Sequence, residues 1–316
     1  NKLRMYKTST IPSDPVQGVL NGLDLAAKDY NQSTKEFLRN VDTFVHATTR
    51  SINAVLTGNT AKTAFFTTSG HKDILLFREG GRIETFNFSV EFPAPFVPRG
   101  LTLEIEERID HKGLIKETLN EESVVKAIEK CSAENVEAIG VCLLWSIANP
   151  VHEIRIGELI NKIIPEVPFT LSHKLNPTLR EYRRAISSCL DASLKPLMFE
   201  YLNGLEIRLK DYGFSGRTLM VTSQGGIMDA TDVARSPIHS LGSGPAMAPI
   251  AGEHYAKKAS TEKSVIIADT GGTSYDVSLV REGRIPWTRE TWLGQRFRGH
   301  MTGFPSVDVK SIGAGG

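Results

Sequence analysis

The sequence runs to 316 residues, with Lys plus Arg at 37, Asp plus Glu at 36 and a formal net charge of +1. Hydrophobic residues at 40% supply core for about two average domains, which excludes a disordered or fibrous chain. The near-neutral balance excludes a global field that would draw the chain onto nucleic acid or an anionic membrane, and no stretch approaches the roughly 20 apolar residues of a membrane helix.

In chain order, Phe44–Thr48 reads as a buried strand and Ile52–Leu56 as the helix after it. Thr63–Thr67 is a second strand, followed by a helical segment over His71–Phe77. Beyond the Pro-rich stretch Phe92–Pro98, Leu101–Glu107 alternates apolar and charged residues with period two, which predicts a strand with one wet face. Glu121–Cys131 is an amphipathic helix and Ala138–Leu144 a fully buried strand. The spacing of Ile156, Leu159, Ile160 and Ile163 predicts a helix over 151–164, which Pro165 ends. Phe169–Ser172 is a strand, and Leu179–Leu209 a long helical stretch in which Pro196 is expected to make a kink or break. The alternation restarts with strand Thr218–Thr222, helix Asp229–Ala234 and a small-residue helix opening at Gly242–Pro245. Strand Ser264–Ala268 then pairs back with Asp276–Val280. Strands alternating with helices mean an α/β architecture with largely parallel sheets. The charged stretch Arg208–Arg217 is the expected inter-domain linker.

Three cysteines, Cys131, Cys142 and Cys189, are too few for a disulfide framework and show no metal-type spacing, so a reducing, cytoplasmic setting is expected. The opening residues show no basic region followed by an apolar core, so no signal peptide is expected. The chain begins at Asn1 and stops at Gly316 inside the run Gly313-Ala314-Gly315-Gly316, which points to part of a longer polypeptide.

The sharpest chemical signal is Ile266-Ile267-Ala268-Asp269-Thr270-Gly271-Gly272-Thr273-Ser274-Tyr275-Asp276. A buried strand delivers Asp269 at its end, and two glycines let the backbone approach a ligand closely. Successive N–H groups in such a turn form an anion nest, and a neighbouring carboxylate can hold a divalent cation through water. A plain Gly-Gly hairpin is the competing reading, but it does not require the flanking Asp, Thr and Ser. Gly242-Ser243-Gly244-Pro245 presents N–H groups at a helix start, or else serves close helix packing. Ser223-Gln224-Gly225-Gly226 follows a strand end, where open α/β sheets bind ligands, and equally reads as a turn. His46-Ala47-Thr48-Thr49-Arg50-Ser51-Ile52-Asn53 joins a strand to a helix. Thr48 or Thr49 is either no more than a helix cap or, with Arg50 and Asn53, surrounds a polar substrate or phosphate. GxxxxGK[ST], GxSxG and HExxH are all missing. Glu181–Arg184 reads as a charged helix face, and Glu106-Glu107 and Asp110-His111 as solvated positions.

Taken in series, these segments resemble the hydantoinase A / 5-oxoprolinase family. His46–Leu56, Thr63–Gly70, Leu179–Arg184, Ser223–Gly226, Leu241–Ala246, Asp269–Ser278 and Ile312–Gly316 match its motifs in order. Phe77–Arg82 and Asn87–Pro93 look closest to its branch of acetone and acetophenone carboxylase subunits. The resemblance implies an actin/Hsp70/sugar-kinase-like (ASKHA) two-domain ATPase fold with mixed, largely parallel sheets, incomplete at both ends. It places an N-terminal family domain at 1–178, lacking its first phosphate hairpin. The start of the ATPase domain follows at 179–316, with a long helical connection over 179–211. The adenine-binding segment is expected beyond Gly316.

The chemistry implied is ATP-driven carbonyl activation, with a ketone enolate, bicarbonate or both as acceptors. An ATP-dependent cyclic-amide hydrolase of the hydantoinase or oxoprolinase type is the alternative, and a non-catalytic nucleotide-binding subunit the second. The resemblance assigns Asp269 and Asp276 as catalytic. Gly271, Gly272, Thr273, Ser274, Gly242, Ser243, Gly244, Gly225 and Gly226 hold the nucleotide, and Thr48, Thr49 and Asn53 hold substrate. Asp269 serves Mg or Mn through water. The expected partner is a hydantoinase B-like second subunit in a cytoplasmic hetero-oligomer.

Overall fold

Continuously apolar strands must be covered on both faces, and the computed structural model, which describes residues 3–11, 13–79, 84, 86–259, 263–270 and 275–312, shows that arrangement. Two helices open the chain, α1 (Pro15–Asp29) and α2 (Thr34–Arg39), followed by β1 (Thr43–His46) and α3 (Arg50–Thr57). Next come β2 (Thr63–Thr68), the single turn α4 (Ile74–Phe77), β3 (Thr102–Ile105) and the hairpin β4 (Arg108–Ile109) and β5 (Ile115–Glu117). Helix α5 (Glu121–Ala133), β6 (Ala138–Cys142), α6 (Val151–Ile163), β7 (Phe169–Leu171) and the short α7 (Ser172–Leu175) lead into α8 (Glu181–Asp211). The remainder holds β8 (Arg217–Val221), β9 (Ile227–Asp229), α9 (Ala230–Arg235), α10 (Ser243–Ala259), β10 (Val265–Thr270) and β11 (Tyr275–Val280). Five short strands complete it: β12 (Trp287–Thr288), β13 (Trp292–Leu293), β14 (His300–Met301), β15 (Ser306–Val307) and β16 (Val309–Ile312).

Strands β3, β2, β6 and β7 lie side by side in that order, every pairing parallel. Every residue of β2 and β6 is buried, as a strand covered on both faces requires. Helix α8 packs so closely on β6 that a Cβ on Gly140 would lie 2.9 Å from Cys189 Sγ, so only glycine fits there. A second sheet pairs β1 parallel to β8 and β8 antiparallel to β9. A third is the antiparallel set β10, β11 and β16.

Helix α8 joins the two hydrophobic cores. Tyr182, Ile186, Leu190 and Leu194 enter the core around Phe65, Phe66 and Ile139. Met198, Leu202 and Leu205 enter the one around Leu20, Leu38 and Met220. The expected break at Pro196 does not occur, since the helix continues through it to Asp211. Packing on both cores overrides the local cost of one missing N–H. The expected linker over 208–217 is also packed rather than loose: Gly213 turns the chain at φ 90°, and a Cβ on Gly216 would lie 2.2 Å from the Asp42 carbonyl oxygen. The final segment folds back across the first half. Asn176 Nδ2 donates to the Gly303 carbonyl at 3.0 Å, Arg78 Nη1 to that of Gly299 at 2.7 Å, and Leu293, Met301 and Phe304 join the first core.

Candidate functional site

Because β1 and β8 run parallel in register from Thr43–Arg217 to His46–Met220, both deliver their following loops to the same end of the sheet. Open α/β sheets bind ligands at that carboxyl end. The loop from β1 carries Thr48 and Thr49, and the loop from β8 carries Ser223–Gly226. Helix α10 starts against the first of them. The Ser243 hydroxyl donates to the Thr48 carbonyl at 3.2 Å, and a Cβ on Gly244 would be 3.8 Å from Thr49 Cγ2. Three segments far apart in sequence therefore meet here.

Within this meeting point the residues differ in character. Gly242 has φ 79° and open space where a Cβ would be, so its backbone is accessible to a ligand. Gly225 turns at φ 81° beneath α10, where a Cβ would come 3.0 Å from Ile250 Cδ1 and 3.3 Å from Val307 Cγ2. Packing accounts for that glycine. The Gly226 N–H donates to Thr222 Oγ1 at 3.3 Å, which ties it into the same turn. Thr49 is the N-cap of α3 but makes no capping hydrogen bond, while Thr48 Oγ1 accepts from Arg50 N at 3.2 Å. Asn53 Nδ2 donates to Thr49 Oγ1 at 3.3 Å, so these two polar side chains form one exposed unit.

The paired strands β10 and β11 also pack against α10. Gly252 lets the strand in, since a Cβ there would lie 2.2 Å from Ile267 Cγ1. Asp269 lies directly opposite Asp276 in the antiparallel register. Directly opposed residues share a face, so both carboxylates are on the face that Ile267 turns to α10. Asp269 is exposed and Asp276 is 8% exposed. Gly271, Gly272, Thr273 and Ser274 lie outside the described residues.

A polar network that the sequence reading passed over occupies the carboxyl end of the four-stranded sheet. Glu181–Arg184 is not a solvated face: Arg184 is 0% exposed. Its Nη1 donates to Ser146 Oγ at 2.5 Å and Ser172 Oγ at 3.0 Å, and its Nη2 to the Leu143 carbonyl at 3.1 Å. Ser172 Oγ in turn donates to Glu153 Oε1 at 2.6 Å, and His173 Nδ1 lies 2.6 Å from Glu153 Oε2. Burial raises the Glu153 carboxyl, but hydrogen bonds from His173, Ser172 and the Leu143 N–H outweigh it and hold the group below its ordinary range. Glu107 is not solvated either. It is buried, 2.7 Å from His152 Nδ1, and accepts from Thr68 Oγ1. The cysteines are all buried, and burial pushes the Cys131 and Cys142 thiols up to about 12, so both are inert at neutral pH.

At the β1 end, His46 Nε2 sits 2.8 Å from the Tyr201 hydroxyl, and burial pushes the imidazole down to about 4. As pH falls, the unfolded chain takes up this proton first. The stability due to neutral His46 is complete above pH 6.5, declines below it and levels off near 4, a total of up to about 3 kcal/mol. His46→Gln is expected to flatten that part of the stability curve. Urea unfolding at a series of pH values checks this, and an unchanged slope would remove His46 as its source.

Two family models match the chain, the hydantoinase/oxoprolinase N-terminal region over residues 1–164 and hydantoinase/oxoprolinase over 184–316. The caprolactamase subunit alpha of Pseudomonas jessenii is 28% identical, over 99% of this chain and 45% of its own length. The acetophenone carboxylase gamma subunit of Aromatoleum aromaticum is 30% identical, over 98% of this chain and 43% of its own. The crystal structure of the ATP-dependent caprolactamase superposes with a TM-score of 0.89, covering 100% of this chain and 45% of that one. A nucleotide-free acetone carboxylase structure does so at 0.83 with 23% identity over 98% of this chain and 44% of that one, a likeness of fold. The chain thus spans less than half the length of these relatives, and its α/β fold is theirs. No described helix is long and apolar enough to cross a membrane.

Proposed function

The chain belongs to the hydantoinase/oxoprolinase family, and from that footing we propose that it is part of an ATP-dependent enzyme subunit that activates a carbonyl compound by phosphorylation. The acceptors are a ketone enolate, bicarbonate or both, in a carboxylase of the acetone or acetophenone type. The observation that carries the reading is the shared face of Asp269 and Asp276, directly opposed on the β10–β11 pair that packs against α10.

Phosphoryl transfer asks little covalent chemistry of a protein; it asks for position and for charge placed where charge develops. An acceptor oxygen forms a bond to the γ-phosphorus, the bond to the β–γ bridging oxygen breaks, and ADP leaves with that electron pair. Asp269, exposed at the strand end, orients the attacking oxygen or a metal-bound water, and Asp276 is the second carboxylate. The N–H groups of Gly271 and Gly272 and the hydroxyls of Thr273 and Ser274 cradle the phosphates. Gly242, Ser243 and Gly244 add the positive end of α10, and Gly225 and Gly226 complete the nucleotide side. Thr48, Thr49 and Asn53 face substrate. Among the described residues no group of three or more His, Cys, Asp or Glu is arranged for a metal, whereas two carboxylates suit a magnesium or manganese ion whose other ligands are water and phosphate oxygens. Such an ion, when bound, neutralises triphosphate charge. The division into domains 1–178 and 179–316, a hydantoinase B-like partner in a hetero-oligomer and a cytoplasmic setting belong to the same proposal.

The likeness to an ATP-dependent caprolactamase favours a second reading, in which the phosphorylated oxygen is that of a cyclic amide, opening the ring to water. ADP release by the intact protein, measured across ketones with bicarbonate and across cyclic amides, separates the two. Stimulation by a ketone plus bicarbonate is expected. Stimulation by cyclic amides alone would transfer the assignment to the second reading, and no stimulation by either would overturn both.

A further inference from the structure

Arg50, the first residue of α3, holds a charge that no described residue neutralises. Its guanidinium carbon lies 5.2 Å from the centre of the Tyr201 ring, and the guanidinium makes no hydrogen bond and no ion pair with any described residue. Its Nε is buried and has no hydrogen-bond partner among the described residues. An arginine whose stem packs on protein usually keeps its head in solvent or pairs it with a carboxylate. This one does neither completely.

We propose that Arg50 receives an oxyanion, the carboxylate or phosphate group of a ligand that docks where the β1–α3 loop meets the start of α10. The surroundings favour an anion. Tyr201, which holds the guanidinium by its ring face, is itself fixed by His46, and both are uncharged near neutral pH because burial lowers the imidazole and raises the phenol. The Thr48 hydroxyl accepts from Arg50 N, the backbone of that residue and not its guanidinium. Helix α3 opens at Arg50 without a side-chain cap, and Ser243 fastens the start of α10 to the carbonyl of Thr48. Two positive helix ends and a guanidinium therefore share one loop, with no carboxylate in ion-pair reach among the described residues. The planar fork of a guanidinium matches the paired oxygens of a carboxylate or phosphate. The assignment names the chemistry of the substrate group beside Thr48, Thr49 and Asn53, and so extends that part of the proposed function, but its test needs no turnover.

Thermal unfolding of the intact protein, in chloride buffer with added inorganic phosphate or acetate, reads the site directly. Wild type is expected to gain several degrees from one or both anions, and Arg50→Gln to gain none. Without anion, Arg50→Gln is expected to unfold at the wild-type temperature or above it, because the variant removes an unpaired charge; Arg50→Lys should keep part of the response. Titration with MgATP then identifies the source. A tenfold or larger loss of affinity in Arg50→Gln assigns the oxyanion to the nucleotide. Unchanged MgATP affinity with a raised KM for the second substrate assigns it to a substrate carboxylate. Equal anion responses in wild type and Arg50→Gln, or no response in wild type, would overturn the proposal whether or not the protein turns over ATP.

Discussion

Asp269→Asn is expected to lower kcat for substrate-dependent ATP turnover by about two to four orders of magnitude while leaving the KM for ATP within about threefold. Asparagine keeps the shape of the side chain and removes the negative charge that orients an attacking oxygen or a metal-bound water. Its position makes the experiment clean. Asp269 is exposed near the end of an edge strand, so the fold does not depend on its charge and the unfolding temperature should stay at the wild-type value. A merely structural carboxylate would give the reverse pattern, a change in stability with kcat preserved. Steady-state kinetics together with thermal unfolding distinguish the two. A fall in kcat of less than about threefold would remove Asp269 from the chemistry.

Arg184→Met is expected to cost about 3–5 kcal/mol of stability. The guanidinium is fully buried and donates to Ser146, Ser172 and the Leu143 carbonyl, tying α8 to the carboxyl ends of β6 and β7. Removing it deprives those oxygens of their charged donor and leaves Glu153, also 0% exposed, without the cation that lies beyond Ser172. Methionine fills the volume, so the loss reports on charge and hydrogen bonding rather than on a cavity. Arg184→Lys should recover only part, because a single ammonium cannot reach three acceptors arranged for a fork. Urea denaturation with unchanged m-value is the measurement. A loss below about 1 kcal/mol would mean that the network is not a cohesive unit.

The alternation of strands and helices was legible because β2 and β6, buried on both faces, read as short apolar runs and α6 keeps its period to the last turn. Helices α1 and α2 were passed over although their signals are local: Asp14 caps α1 with Pro15 at its first position, and Ser33 and Glu36 form a capping box. Gly18 and Gly22 dilute the apolar pattern of α1, and its depth comes from packing against α8 instead. The burial of Arg184 and Glu107 could not be read locally, because a charged residue next to other charged residues looks solvated until its partners, 38 and 45 positions away, are known. The same holds for the site. Thr48 and Ser243 each carried a weak local signal, and only the fold, which brings them together across 195 positions, makes one loop cluster of them.

The central claim is that a carbonyl oxygen takes the γ-phosphoryl group of ATP, and oxygen-18 follows that atom. The intact protein is given ATP with bicarbonate and a ketone both labelled, or with a cyclic amide labelled at its carbonyl, and the released phosphate is weighed by mass spectrometry. Passage of label from bicarbonate or the ketone, or from the amide, into phosphate is the predicted result, the former for a carboxylase and the latter for a cyclic-amide hydrolase. Phosphate that gains oxygen only from water, with substrate label untouched, would contradict carbonyl activation altogether.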